Sequence, residues 1–332
     1  MHASLSICSR HFVRQDSRAP LEARSILIYN RTSAPLTVSY SPELAAVYPR
    51  SNKECRMEPL RLMCVFAHPD DETLGTGPLL AKYAAEGVET TVVCATAGQR
   101  GWPADRPGNP GLEELGRIRA GELRAACAIL GVHEVVLLDY MDGELDQAGP
   151  DRIIGELVTH LRRVRPQVVV TFGPDGAYGH PDHIAISQFT QAAAVCAADS
   201  RYAVPGALPP HRLAKLYYLV DAKAAVTAFR EMFDGDIGME IDGEMRRMVG
   251  WEDWMITTRV DAGAYWEQVW EAIRCHDTQV RDMIEAMAAV PVDQHRRLMG
   301  IQTLYRAYSL VNGGRQVETD LFAGIAQPKE TV

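Results

Sequence analysis

Four ionisable side chains crowd one short turn of this sequence: His68, Asp70, Asp71 and Glu72, in the run Ala67-His68-Pro69-Asp70-Asp71-Glu72. An imidazole and a carboxylate three residues apart on a tight turn can point at a single divalent ion. The intervening Asp70 is then left beside that ion, free to handle protons. A catalytic zinc site needs a third protein ligand and an open position for water. The cluster Gly179-His180-Pro181-Asp182-His183 offers one. The chemistry that such a site serves is hydrolysis of an unreactive bond, because the ion acidifies water toward a pKa of about 7 and polarises a carbonyl.

Both clusters sit where strands end. Leu62 to Ala67 and Val168 to Phe172 are short apolar runs that read as buried strands, and open α/β sheets bind ligands at the carboxyl ends of their strands. Between and around them, strand and helix patterns alternate. Thr73 to Glu86 has helical spacing (Leu74, Leu79, Leu80, Tyr83, Ala84) and stops at Gly87, and Glu89 to Thr96 reads as a strand. A helix is expected over Leu112 to Leu130, a strand over Glu134 to Leu138, and a helix from Asp151 to Val164, stopped by Pro166. Further strands are expected at Ala214 to Val220 and Met255 to Val260, with helices at Tyr265 to Cys275 and Thr278 to Ala288. This order predicts an α/β fold: a mostly parallel, doubly wound sheet with helices on both faces and a helical C-terminal part. The Met- and acid-rich stretch 221 to 256, broken by Gly235, Gly238, Gly243 and Gly250, gives no clear element. The Gly/Pro-dense loop from Gly98 to Gly111 follows a strand and should rim the same pocket, with Trp102 placed to cover a sugar ring.

The paired motifs AHPDDE and YGHPDH resemble the PIG-L/LmbE-like family, zinc hydrolases that remove acetyl groups from N-acetylglucosamine-type sugars or cleave related amides. The resemblance runs from about Leu60 to about Ile325 and includes the weaker segments His276-Asp277-Thr278-Gln279 and Glu318 to Gly324. It implies one zinc ion per chain on His68, Asp71 and His183, with Asp70 as general base. It implies that His180, either protonated or as a hydrogen-bond donor, stabilises the negative oxygen of the tetrahedral intermediate and can protonate the leaving amine, that Asp182 holds the His180 ring and keeps it cationic, and that Tyr178 donates to the same oxygen. Arg119, in an R-x-x-E pair with Glu122, is expected to meet the substrate, as is His276. The expected activity is deacetylation of an N-acetylglucosamine-type or related N-acylated small molecule. Two alternatives remain, an amidase acting on a larger glucosaminyl thiol conjugate and a non-catalytic metal- or sugar-binding protein. The second has no use for a base such as Asp70.

The rest of the composition narrows the partners. With 34 Lys and Arg against 43 Asp and Glu, the net charge of −9 leaves no broad basic surface for nucleic acid or an anionic membrane. A small N-acyl amino sugar or conjugate fits better, and self-association is left open. Seven scattered cysteines without a C-x-x-C pair suggest reduced thiols and a cytoplasmic protein. No apolar run approaches the roughly 18 residues of a membrane span, and no G-x-G-x-x-G follows the first strand as a dinucleotide site would require. Residues 1 to 56 are rich in Ser and Arg and broken by Pro20, Pro35, Pro42 and Pro49. They read as an extension outside the catalytic domain of residues 57 to 332: a start assigned too early with Met57 the true first residue, a disordered segment, or a targeting peptide.

Overall fold

The computed structural model describes residues 13–14, 25–30, 33–39 and 59–325, apart from 234–237, 242, 289, 313 and 315. The chain divides into two compact units, Met1–Arg56 and Met57–Val332. In the first, β1 (Val13–Arg14) pairs antiparallel with β2 (Ser25–Asn30), which pairs antiparallel with β3 (Ser33–Ser39).

The second unit is built on β4 (Arg61–Phe66), whose side chains from Leu62 to Phe66 are at most 1% exposed. A strand buried on both faces reads as a continuous apolar run, and each such side chain contributes about 1.5–3 kcal/mol by leaving water. After β4 come α1 (Asp71–Ala85), β5 (Glu89–Thr96), α2 (Leu112–Ile129) and β6 (Glu134–Tyr140). The chain then returns through α3 (Pro150–Val164), β7 (Val168–Phe172), α4 (Pro181–Ala198) and β8 (Lys215–Leu219). A second part follows: α5 (Lys223–Phe233), the hairpin β9 (Gly238–Ile241) and β10 (Glu244–Arg247), β11 (Thr258–Asp261), α6 (Trp266–Ile273), α7 (Asp277–Ala288), α8 (Val292–Gly300) and β12 (Ile301–Ser309).

The main sheet has seven strands in the order β11-β12-β8-β7-β4-β5-β6. Its five strands from β8 to β6 are parallel, and β12 and β11 add antiparallel at one edge. The expected mostly parallel, doubly wound sheet is therefore present. One helix group, α1, α2 and α6, packs together, and a second, α3 with α4, forms another. Strand order reverses between β4 and β7, which pair directly with Leu62 opposite Val168 and Cys64 opposite Val170. Ligands in such sheets bind at this reversal, outside the carboxyl ends of the strands. The two motif-bearing loops leave these neighbouring strands side by side. Among the described residues no helix is long and apolar enough to cross a membrane.

Candidate active site

The chain leaves β4 through a turn held by its own side chains. Asp71 Oδ2 accepts the His68 N–H at 2.8 Å and the Ala67 N–H at 3.2 Å, so a carboxylate fixes the loop that carries it. Asp70 takes a positive φ of 120°, a strained conformation for a residue with a side chain. Its N–H is held by Glu72 Oε2 at 3.0 Å, and its carbonyl accepts the first N–H groups of α1. Asp71 and Glu72 stand in the first turn of that helix, where the macrodipole favours negative charge.

The loop after β7 brings His183 to the same point. His68 Nδ1 lies 3.2 Å from His183 Nε2, His183 Nε2 lies 3.4 Å from Asp71 Oδ1, and His68 Nδ1 lies 3.7 Å from Asp71 Oδ2. Ligands about 2.0–2.1 Å from a tetrahedral ion are separated by about 3.3–3.4 Å. The three side chains thus already outline one face of a tetrahedron. His183 is stacked on Phe172 with ring centroids 3.9 Å apart, and burial, together with the nearby His68 and His180, drives its pKa well below the ordinary value, leaving a neutral ring with a free lone pair.

Behind His68 stand two carboxylates. Its Nε2 is 3.1 Å from Asp142 Oδ1 and 3.1 Å from Asp182 Oδ2. A ligating imidazole commonly donates its second N–H to a carboxylate, which fixes the tautomer and frees the other nitrogen for the ion. Burial opposes a charge on His68, but its hydrogen bonds to Asp142 and Asp182 and the charge of Asp71 outweigh this and push it up to about 10. Burial would also raise Asp142, yet the His68 hydrogen bond and charge bring it down to about 2. Asp71 is pushed up to about 7, by burial first and also by the Asp70 and Glu72 carboxylates, against the pull of His68. Asp71 and His68 thus hold protons more tightly than usual, while Asp142 stays charged behind them. A divalent cation between His68, Asp71 and His183 would replace those protons, so the donor set fits a metal.

Asp182 does not serve His180 as expected. Its Oδ2 faces His68 and accepts the Gly143 N–H at 2.7 Å, while Oδ1 accepts the Leu145 N–H at 3.0 Å, so the carboxylate is turned to His68 and the 143–145 backbone. What meets His180 is the Asp182 backbone, whose N–H donates to His180 Nδ1 at 3.1 Å and caps α4. A ring accepting at Nδ1 carries its proton on Nε2. Burial, then the neighbouring His68, pushes His180 down to about 4, so it is a neutral donor and not the cation that the sequence suggested. Tyr178 follows the strained Ala177 (φ 65°) and sets its ring 5.5 Å from His183 and 6.0 Å from His180. Burial, with Asp71, Asp70 and Asp142 nearby, raises its hydroxyl well above the usual value and keeps it a donor.

Arg119 is corrected from a substrate contact to an internal one. The residue is 3% exposed, Nη1 donates to the Gly98 carbonyl at 2.9 Å, and Nη2 donates to the Pro69 carbonyl at 2.7 Å and to Asp70 Oδ2 at 3.2 Å. Gly98 (φ +64°) and Gly101 make this possible, since a Cβ on either would overlap the guanidinium. Burial raises the Asp70 pKa, and Arg119 is the foremost of the groups that oppose the rise. His276 is likewise fully buried and cannot meet a substrate, because its Nε2 lies 2.9 Å from Glu72 Oε1 and 3.2 Å from Thr73 Oγ1. Trp102 stays in the loop after β5, half-buried, with Nε1 donating to the Arg106 carbonyl at 2.9 Å and the Arg106 guanidinium over its ring. Asp142 was missed. The available signal was its place in an Asp-Gly turn just past β6, at the carboxyl edge shared by the other site residues.

Three side chains placed to hold a metal ion, a half-buried carboxylate beside them and hydrogen-bond donors opposite, at the reversal point of a doubly wound sheet, are the parts that a metal-dependent hydrolase site requires. The model of the family described as "PIG-L: GlcNAc-PI de-N-acetylase" matches residues 63–194. A 1D-myo-inositol 2-acetamido-2-deoxy-alpha-D-glucopyranoside deacetylase of Thermobifida fusca is 35% identical over 80% of this chain and 100% of its own length. The chain belongs to the PIG-L/LmbE-like deacetylase family, metal-dependent hydrolases of amide C–N bonds. Among solved structures, the N,N'-diacetylchitobiose deacetylase of Pyrococcus horikoshii shares the fold, with TM-score 0.55, 20% identity, and coverage of 74% of this chain and 83% of that one. So does the 4-carboxy-2-hydroxymuconate hydratase of Pseudomonas putida, with TM-score 0.55, 20% identity, and coverage of 77% and 99%.

Proposed function

We propose that this protein is a zinc-dependent N-deacetylase that frees the amine of an N-acetylglucosamine unit, with the inositol glycoside named for its relative in Thermobifida fusca as the first candidate substrate. The observation that carries the reading is the approach of His68 Nδ1, Asp71 and His183 Nε2 to within 3.2–3.7 Å of one another beside Asp70. Two imidazoles and one carboxylate suit zinc, and the ion would supply Lewis acidity, polarising the amide carbonyl and acidifying water.

The remaining work falls to this chain's own residues. Asp70 accepts a proton from the attacking water, at Oδ1, since Oδ2 is bound to Arg119. Water adds to the acetyl carbon, and His180 Nε2–H and the Tyr178 hydroxyl donate toward the oxygen that becomes negative. A neutral His180 is a hydrogen-bond donor and a poor acid. Asp70, its pKa raised by burial, therefore holds the proton and returns it to the nitrogen as the C–N bond breaks. Acetate and free amine result.

The test is amine release by metal-stripped protein, with and without added zinc, from the inositol glycoside and from N,N'-diacetylchitobiose. Zinc-dependent turnover with the inositol glycoside preferred is expected, and His68→Ala and His183→Ala should lose the metal on elemental analysis. Zinc bound at one per chain with no amine released from either compound would overturn the assignment.

A further inference from the structure

Four consecutive residues outside the reaction site touch three of the elements that border it. His276, fully buried at the end of α6, meets Glu72 Oε1 at 2.9 Å, and the other oxygen of Glu72 accepts the N–H of the strained Asp70 at 3.0 Å. Thr278 donates its N–H to Glu122 Oε1 at 2.9 Å and its hydroxyl to Glu122 Oε2 at 2.6 Å, and Glu122 lies on α2 one turn beyond Arg119. Gln279 Nε2 donates to the Gly101 carbonyl at 2.7 Å, and Arg106 Nη1 of the same loop donates to the Thr278 carbonyl at 2.8 Å.

We propose that this segment is a positioning clamp: His276 fixes Asp70 through Glu72, and Gln279 fixes the 98–111 loop through Gly101. The physical need is plain at the Asp70 end. A backbone at φ 120° relaxes unless the structure around it over-determines it, and the Asp70 N–H has a carboxylate partner that is itself held by His276. Glu72 without His276 is a buried carboxylate that has lost its imidazole partner and keeps only the Thr73 hydroxyl and the Asp70 N–H, a looser hold on the Asp70 backbone. At the other end, Gln279 and Arg106 hold a loop that starts at Gly98, the residue whose carbonyl seats Arg119. Base and loop thus answer to one four-residue stretch at the start of α7.

The clamp rests on the deacetylase reading, and steady-state kinetics on the zinc-loaded full chain, with zinc content and melting measured in parallel, separates the two. His276→Leu should lower kcat about 10²-fold, the scale of a misplaced catalytic group, with KM and zinc content as in the parent. His276→Gln, whose amide can still donate to Glu72, should keep most of kcat. Gln279→Ala should instead raise KM about 10-fold with kcat little changed, as expected when ground-state and transition-state binding are lost alike. Parental kcat in folded His276→Leu, loss of zinc together with kcat, or a His276→Gln as poor as the Leu variant overturns the clamp. If His276→Leu does not fold, the decision passes to Gln279→Ala, where an unchanged KM overturns it. The zinc-loaded parent and Asp70→Asn are the controls: no amine release by the parent means that the deacetylase reading has failed, full turnover by Asp70→Asn means that the base assignment has failed, and a dead Asp70→Asn beside a normal His276→Leu sinks the clamp alone.

Discussion

Asp70 and Asp71 are adjacent carboxylates that the structure puts to different uses, so the same change to Asn should damage them differently. In Asp70→Asn the side-chain carbonyl can still accept from Arg119 Nη2, and Glu72 still holds the backbone N–H, so fold and zinc content should match the parent. What disappears is the proton acceptor, typically worth about 10²- to 10⁴-fold, or about 2.7–5.5 kcal/mol of barrier, and it should appear in kcat and not in KM. In Asp71→Asn the same shape fails for another reason. Asp71 Oδ2 accepts two backbone N–H groups, and Oδ1 faces His183 Nε2 at 3.4 Å, so both oxygens are in use. One of them must become an NH₂ that points either at those donors or at the cation. Loss of the two hydrogen bonds costs about 0.5–1.5 kcal/mol each. The variant should melt lower, hold zinc weakly, and regain part of its activity when zinc is in excess. Zinc titrations followed by amine release distinguish the two patterns. If Asp70→Asn loses zinc while Asp71→Asn retains it with dead chemistry, the roles are reversed. If Asp70→Asn is nearly fully active with zinc bound, the base assignment is wrong.

Two further predictions lie away from the metal. Lys215 and Glu318 form a fully buried ion pair at 2.8 Å, to which Tyr217 and Arg306 also contribute, so Glu318→Gln should destabilise the fold at neutral pH by about 3–5 kcal/mol, the usual cost of orphaning one buried partner. Burial raises the Glu318 pKa, but Lys215, Tyr217 and Asn312 lower it further, so its contribution is complete above the unfolded glutamate pKa and fades as pH falls through the lower folded value. The difference in Tm between parent and variant should therefore shrink on acidification, and a constant or growing gap would contradict the assignment. Separately, a Met57–Val332 protein should fold, melt cooperatively and keep its deacetylase activity without Met1–Arg56, because the sheet and every proposed site residue lie within that unit. An insoluble or inactive product would make the N-terminal segment part of the working domain.

How much of this could be read beforehand depended on whether a residue's job is local. The β4 and β7 runs are almost wholly apolar because both faces of a central parallel strand are buried, so the strands that present the motifs follow from pattern, whereas the sheet order that sets them side by side is seen only in the structure. β12 was not visible. Ile301–Ser309 is only partly buried, and its place between β8 and β11 is fixed by partners at least 40 residues away, with a bulge between Arg306 and Tyr308 that breaks the alternation. The stretch 221 to 256 was equally opaque, although α5 and the β9–β10 hairpin occupy it. At the site the same division holds. Asp182 was expected behind His180 on the family resemblance, but its carboxylate turns to His68 on the neighbouring loop, which no spacing rule anticipates. Arg119 and His276 were read as substrate contacts on the family resemblance of their segments. Both are buried, where Arg119 meets the half-buried Asp70 and His276 meets the buried Glu72, and a charge taken out of water must be met by another.

This inward investment bears on what the fold decides. The same doubly wound frame is shared with a hydratase as well as with a deacetylase, at 20% identity in each case, so the frame does not choose the chemistry. Here the choice lies in the side chains at the β4–β7 reversal and in those that hold them. His68 is aimed by Asp142 and Asp182, Asp70 by Arg119 and Glu72, and His180 by the start of its own helix. His68 and Asp70 are thus fixed by partners from other parts of the chain, the loop after β6, the start of α4 and helix α2, while His180 is held locally. A pure binding site has no need to keep a carboxylate on a strained backbone beside its ligands with one oxygen free. The strain at Asp70 fits the proposed base, whose free oxygen would have to stand at one point relative to His68, Asp71 and His183 for proton transfer.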